Sequence, residues 1–311
     1  MSALDFVKIS SRNKRRTFFL VFILILLLFG IGRFLDYAYN GGGFYTFIAL
    51  TIALVQSLVS YYAGDKIVLS LVRARQPNLS DYEERQFVNV VQELCIASGL
   101  PEPKCYVMDD PSPNAFATGR DPQHSSVCVT TGLLKLMNRE ELEGVIGHEL
   151  SHVKNRDILT MTMVAVLVGA IVIIADFLRF SLYFGGSRRR RGREGGGEIL
   201  ILLILFVIVI VASIVGKLMS LAISRAREYM ADAGSVAITR NPLALASALE
   251  KIGNYSRPVQ GVSDAVSHLF ISDPKKRAIS EKDSLWSNLW STHPPIKKRI
   301  AILKQMAGIS A

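Results

Sequence analysis

The sequence predicts a mainly helical integral membrane protein that also carries a small β-sheet. Three observations lead there. Four apolar runs, bounded by charges, cover residues 18–32, 44–59, 158–175 and 199–216. Most of the polar remainder repeats its apolar residues at helical spacing. Two short stretches rich in β-branched and aromatic residues supply strands. Hydrophobic residues make up 50% of the 311, and the mean hydropathy is +0.31. A bilayer is spanned by roughly 20 apolar residues, so all four runs are candidate transmembrane helices.

The first run, "FFLVFILILLLFGIG", follows the basic stretch "RNKRR". It lacks a small-x-small cleavage site and a second run follows closely, so it reads as an anchor and not a cleaved leader. The loop after it carries only Asp36, whereas Lys66, Arg73 and Arg75 follow run two. Positive charge stays on the cytoplasmic side, which places the N-terminus and everything after run two in the cytoplasm. Much of the net charge of +10 lies beside the runs, where anionic lipid headgroups attract it. No nucleic-acid motif offers another use for it. Cys95, Cys105 and Cys128 show no C-x-x-C spacing and read as small buried thiols.

The runs divide the chain into four parts. Residues 1–62 form an N-terminal transmembrane hairpin and 63–157 the first half of a cytoplasmic domain. Residues 158–221 form a second hairpin with the Arg-rich loop "GGSRRRRGREGGGE", and 222–311 complete the domain. In the first half, "SDYEERQFVNVVQELCIASGL" is a helix capped by Ser80 with Glu83 and stopped at Gly99 and Pro101. "KCYVMDD" and "SSVCVTTG" are strands, and "PSPNAFATGRDP" between them marks turns around an extended piece. Asn138 and Glu141 cap the next helix, which would run unbroken to Phe180, about 60 Å at 1.5 Å per residue. In the second half, helices cover "SRAREYMADAGSVAI", "NPLALASALEKI" with Pro242 in its first turn, and "PPIKKRIAILKQM".

The chemistry lies in "GVIGHELSHVKNRD". Residues four apart share a helix face, so His148 and His152 can aim both imidazoles at one ion. Zn2+ accepts such ligands, and a catalytic zinc keeps three protein ligands with one open position. Glu149, about 100° round the helix, reaches the water without being a ligand and acts as general base. "HVKNRD" lacks the G-x-x-H continuation, so the third ligand lies elsewhere in the chain. Glu228 in "SRAREYMADAG" is the candidate, its plainer reading being a surface carboxylate paired with Arg225 or Arg227. Asp232 shares its face and would accept the far N–H of one zinc histidine. The non-enzymatic alternative is a membrane scaffold whose metal is structural, closed by a fourth protein ligand such as a thiol. A metal transporter ranks below both, because runs three and four hold no ionisable residue at their centres.

These residues, with "PSPNAFATG", "TTGLL", "SHLFI" and "STHPPIKKRIAIL" in order, resemble the HtpX-type membrane zinc metalloproteases, relatives of the CAAX prenyl endopeptidases. The likeness covers most of the chain from about Pro101 onward. It implies a gluzincin-like zinc endopeptidase of a prokaryotic plasma (inner) membrane, facing the cytoplasm and cutting misfolded or damaged membrane proteins. It carries Glu228 over as ligand and Glu149 as base. Asn114, Ala115, Phe116, Ala117 and Thr118 would form an edge strand that binds extended substrate through its main chain. His293 would donate to the developing oxyanion, and Arg299 would help it or pair with a carboxylate. His124 and His268 remain solvent or packing residues. Since the ligands must share a compartment, the chain between them crosses the bilayer twice or not at all. Two crossings put the arginine loop outside, against the positive-inside tendency, and that arrangement is preferred over a hairpin lodged partly in the bilayer.

Overall fold

The structure is a computed structural model. It describes scattered positions between 19 and 37, residues 40–167 and 225–255, most of 257–274, and 294–309. In these the chain is mostly helical with one three-stranded sheet. Apolar run four and the Arg-rich loop lie outside the described residues. Run one is described only in part, and run three only as far as residue 167. Among the described residues, one helix is long and apolar enough to span a membrane, α1 (Phe44–Leu71). It extends twelve residues past the apolar run at 44–59 and carries Asp65 and Lys66 before it ends. Asp36 ties the preceding segment to its start, accepting from the Tyr45 and Thr46 amides at 3.0 and 3.1 Å.

Helix α2 (Tyr82–Ser98) corrects the expected cap by one residue. Asp81, not Ser80, accepts from the Glu84 amide at 3.0 Å, and Gly99 closes the helix at φ 66°. A carboxylate outbids a hydroxyl there because it also complements the positive helix end. Glu84 is then free to take Arg75 at 2.6 Å. Strands β1 (Lys104–Met108), β2 (Ala115–Asp121) and β3 (His124–Thr130) stand in the order β1-β3-β2. β1 pairs parallel to β3 and β2 antiparallel to it, so β2 is an edge.

Side chains alternate across this sheet. Ala115, Ala117, Val127 and Val129 join a core with Phe87 and Leu94 of α2, Ile146 and Leu150 of the motif helix, and Leu249. Phe116 and Cys128 face the opposite side, with Val68 and Val72 of α1, Met161 and Phe270. One face of the sheet therefore holds the motif helix and the other holds the end of the long apolar helix α1.

After α3 (Thr131–Leu136), helix α4 (Arg139–Lys154) opens with the expected capping box, Asn138 and Glu141 each binding the other's amide. It does not continue into run three. Asn155 ends it, Arg156 takes φ 57°, and a new apolar helix, α5 (Asp157–Leu167), begins. The unbroken helix from residue 139 to 180 is thus replaced by two helices meeting at a break. The remaining helices are α6 (Arg225–Thr239), α7 (Pro242–Asn254), the short α8 (Asp264–Ser267) and α9 (Ile296–Met306). α4 packs closely on α6 and α7. A side chain at Gly144 would stand 2.7 Å from the Leu245 amide nitrogen, so only glycine admits α7 that close. Ser235 of α6 donates to the Gly144 carbonyl at 2.6 Å, which fixes the sliding position of α6 on α4.

The corrected cap gives a direct test. Asp81→Ala should lower stability by about 1 kcal/mol, whereas Ser80→Ala should leave it within a few tenths. Chemical unfolding of both variants in detergent, followed by circular dichroism, separates the two positions.

Candidate metal centre

The α4–α6 contact brings the expected ligands together. His148 and His152 project from one face of α4, with Nε2 atoms 3.2 Å apart. Glu228 of α6 places Oε2 3.7 Å from His148 Nε2 and Oε1 3.6 Å from His152 Nε2. Tetrahedral ligands at about 2.0–2.1 Å from zinc would stand roughly 3.3 Å apart, so the spacing fits. Among the described residues these three form the one such cluster, and no cysteine belongs to it. Burial raises the Cys95 thiol to about 11 and Cys105 to about 12, which keeps both protonated.

Each imidazole is set by a carboxylate on its far side. His148 Nδ1 lies 3.0 Å from Asp232 Oδ1, and His152 Nδ1 lies 3.1 Å from Asp157 Oδ2. A carboxylate can only accept, so each ring carries its proton on Nδ1; Arg299 Nη2, 3.3 Å from His148 Nδ1, is held more tightly by Asp232 at 2.6 Å. Both Nε2 lone pairs then point at each other. That is unfavourable unless a cation stands between them or one ring takes a second proton. Burial pulls the His152 pKa down, but Asp157, Glu228 and Glu149 outweigh it and lift it to about 9. Burial, with Arg299 nearby, lowers His148 to about 4.

Glu149 is 1% exposed, and neither of its carboxylate oxygens has a hydrogen-bond partner among the described residues. Burial, reinforced by Glu228, raises its pKa to about 7, despite the opposing pull of His152. Asp232, Asp157, Glu149 and Glu228 are all buried here, against the two buried guanidiniums of Arg227 and Arg299. Among the described residues, four carboxylates facing two guanidiniums leave a deficit of two charges, the charge of a divalent ion. The residues present therefore fit a zinc ion in both spacing and charge.

One of these groups escaped the sequence reading, and another was read with two uses left open. Asp157 lies five residues past His152, on the wrong side of an unbroken helix, and reaches it only because of the break at Asn155–Arg156. Arg299 is fully buried: Nε and Nη2 grip Asp232 at 2.9 and 2.6 Å, and Nη1 donates to the Ile271 carbonyl at 3.0 Å. Of its two expected uses, pairing with a carboxylate is the one the geometry displays. His293 lies outside the described residues. His268 is buried with Nε2 3.1 Å from the Met161 carbonyl, and His124 pairs with Asp121 at the surface.

β2 runs beside α4, and its side chains are already engaged. Asn114 donates to the Ser272 carbonyl at 3.1 Å, the Thr118 hydroxyl meets that of Thr162 at 2.8 Å, and Phe116 stacks edge-on against Phe270. Along its outer edge, the Ala115 carbonyl accepts from Ile271 at 2.9 Å and the Gly119 amide donates to Thr162 at 3.1 Å.

A histidine pair and a glutamate from two packed helices, able to hold a divalent ion beside a spare buried glutamate, form the arrangement a metallopeptidase requires. The comparisons with known proteins agree. Residues 81–307 match Peptidase family M48. The "Protease HtpX homolog" of Thermoanaerobacter pseudethanolicus is 44% identical over 307 residues, covering 98% of this chain and 99% of that protein. The one from Streptococcus gordonii is 40% identical, covering 94% and 97%. The chain belongs to peptidase family M48 and, within it, to the HtpX-type proteases; it is a membrane-bound metalloprotease. The crystal structure of S. mikatae Ste24p superposes with a TM-score of 0.49 at 19% identity, and this chain spans 66% of that one.

Replacing Arg299 with Met strands the Asp232 carboxylate in the interior and should cost about 3–5 kcal/mol. In the native protein Arg299 and His148 overcome the effect of burial and hold Asp232 at about 2, below its ordinary value. Asp232 therefore contributes stability above about pH 4, lost as pH falls toward 2. Urea unfolding of wild type and Arg299→Met between pH 3 and 7 should show that acid limb in the wild type alone.

Proposed function

We propose that the protein is a zinc-dependent endopeptidase in which His148, His152 and Glu228 hold the metal and Glu149 is the general base. The observation that carries this reading is the convergence of those three ligand atoms beside a buried, unpartnered carboxylate. Zinc, when bound, polarises the scissile carbonyl and acidifies water. Glu149 takes the proton as water attacks and delivers it to the leaving amine. Asp232 and Arg299 are positioning residues that keep His148 in its metal-binding tautomer. His293 is retained as a candidate donor to the oxyanion.

Substrate binds as an added strand on β2. Residues alternate in the direction of their main-chain groups. Ala115 and Gly119 already use theirs on the outer edge, so Ala117 between them is the pairing position. The side chains at 114–118 face inward, which favours recognition of extended backbone over particular residues. That suits a protease for misfolded or damaged membrane proteins. The four-part division of the chain, with four membrane helices and the catalytic domain on the cytoplasmic side of a prokaryotic plasma membrane, completes the reading. Its support is the four apolar runs and the charge pattern around the first two. A scaffold with a structural metal would need a fourth protein ligand, and none joins the three among the described residues.

The protein purified in detergent with chelator, then reloaded, should bind one zinc per chain and cleave casein. Glu149→Gln should keep the zinc and lose about 10²–10⁴ of the rate. Equal cleavage by both preparations would rule out Glu149 as the base.

A further inference from the structure

We propose that Asp157 is a positioning residue for the metal: backed by Arg227, its carboxylate holds His152 in the tautomer and orientation that present Nε2 to the ion. The assignment rests on the zinc reading given above and extends it to a residue outside the motif.

The geometry is specific. Asp157 is fully buried, with Oδ2 3.1 Å from His152 Nδ1. In a continuous helix a residue five positions on points about 140° away from its predecessor, since each residue advances about 100°. Asp157 faces His152 only because the chain breaks at Asn155 and Arg156 takes φ 57°. That conformation costs a non-glycine residue about 1–2 kcal/mol. A strained turn that serves only to bend the chain would need no buried carboxylate at its far side.

The two imidazoles share this plan, drawn tightly at His148 and more loosely at His152. His148 is backed by Asp232, and Asp232 by Arg299. His152 is backed by Asp157, and the Arg227 guanidinium, 3% exposed, lies 4.0 Å from Asp157 Oδ1. Each ligand ring thus has a carboxylate behind it and each carboxylate has an arginine. Without Asp157, the His152 ring is free to turn or to carry its proton on Nε2, where it cannot bind a metal. Asp157 is also the first residue of the apolar helix α5, while Arg227 lies in the first turn of α6 beside Glu228. The two ends of the chain segment that leaves and rejoins the peptidase domain therefore meet behind one zinc ligand.

The plainer role for Asp157 is a helix-start carboxylate favoured by the dipole of α5. Zinc affinity separates the two, because a helix-start effect would not change it. Full-length protein in detergent micelles is stripped of metal, and its zinc dissociation constant is measured by competition with a chromophoric chelator. Asp157→Asn should weaken zinc binding about 10–100-fold. Glu141→Gln is the control: it removes another buried carboxylate of α4, one bonded to Lys251 and Ser247, and should lower the melting temperature with zinc affinity unchanged. A loss smaller than tenfold in Asp157→Asn, or an equal loss in Glu141→Gln, overturns the assignment. Should Asp157→Asn give no folded protein, Arg227→Gln carries the test: a loss of threefold or more is expected, and a smaller one overturns it. A wild type that binds no zinc ends the metal reading itself, and this assignment with it.

Discussion

The interior of this protein concentrates negative charge where two imidazole lone pairs converge, and the rest of the site follows from that constraint. Carboxylates are costly to bury without compensation. Arg227 and Arg299 neutralise half of the four at the centre. Protons supply what is missing when no cation is bound, which is why His152 and Glu149 both have raised pKa values, about 9 and about 7. A divalent ion displaces that need. Metal binding and proton release are therefore linked here.

The sheet connects this centre to the long apolar helix α1. Its period of two sends Ala115 and Ala117 toward the motif helix, and Phe116 toward Val68 and Val72 at the end of α1. Thr162 of α5 reinforces the junction by binding both Thr118 and Gly119 of β2. The strand beside the candidate metal site is thus clamped between the motif helix and two apolar helices. A small sheet suffices because its function is to fix the distance between the two, and both faces are covered.

How much of this was legible in the sequence varies with the range of the interaction. The histidine spacing, the Asn138–Glu141 cap and the alternating strands are local, and each followed from side chains within a few residues. Glu228 and Asp232 were legible as a face of one helix, although its partner lies across the long segment before it. The cap of α2 was misplaced by one residue because Ser80 and Asp81 both suit the position, and the carboxylate is the better complement to the positive helix end. The break at Asn155–Arg156 left no mark, since neither residue is a glycine or proline and apolar periodicity resumes at once. With that break went Asp157, whose approach to His152 depends on it. Arg299 was left between the oxyanion and a carboxylate because its choice is set by contacts with α6 and residue 271, far away in sequence.

Zinc K-edge X-ray absorption on the full-length, metal-loaded protein in detergent micelles examines the convergence most directly. A first shell of four light atoms, two of them imidazole nitrogens and at least one a carboxylate oxygen, with no sulfur, is the expected spectrum. A zinc–sulfur distance near 2.3 Å, or a single imidazole in the shell, would contradict the site as built from His148, His152 and Glu228.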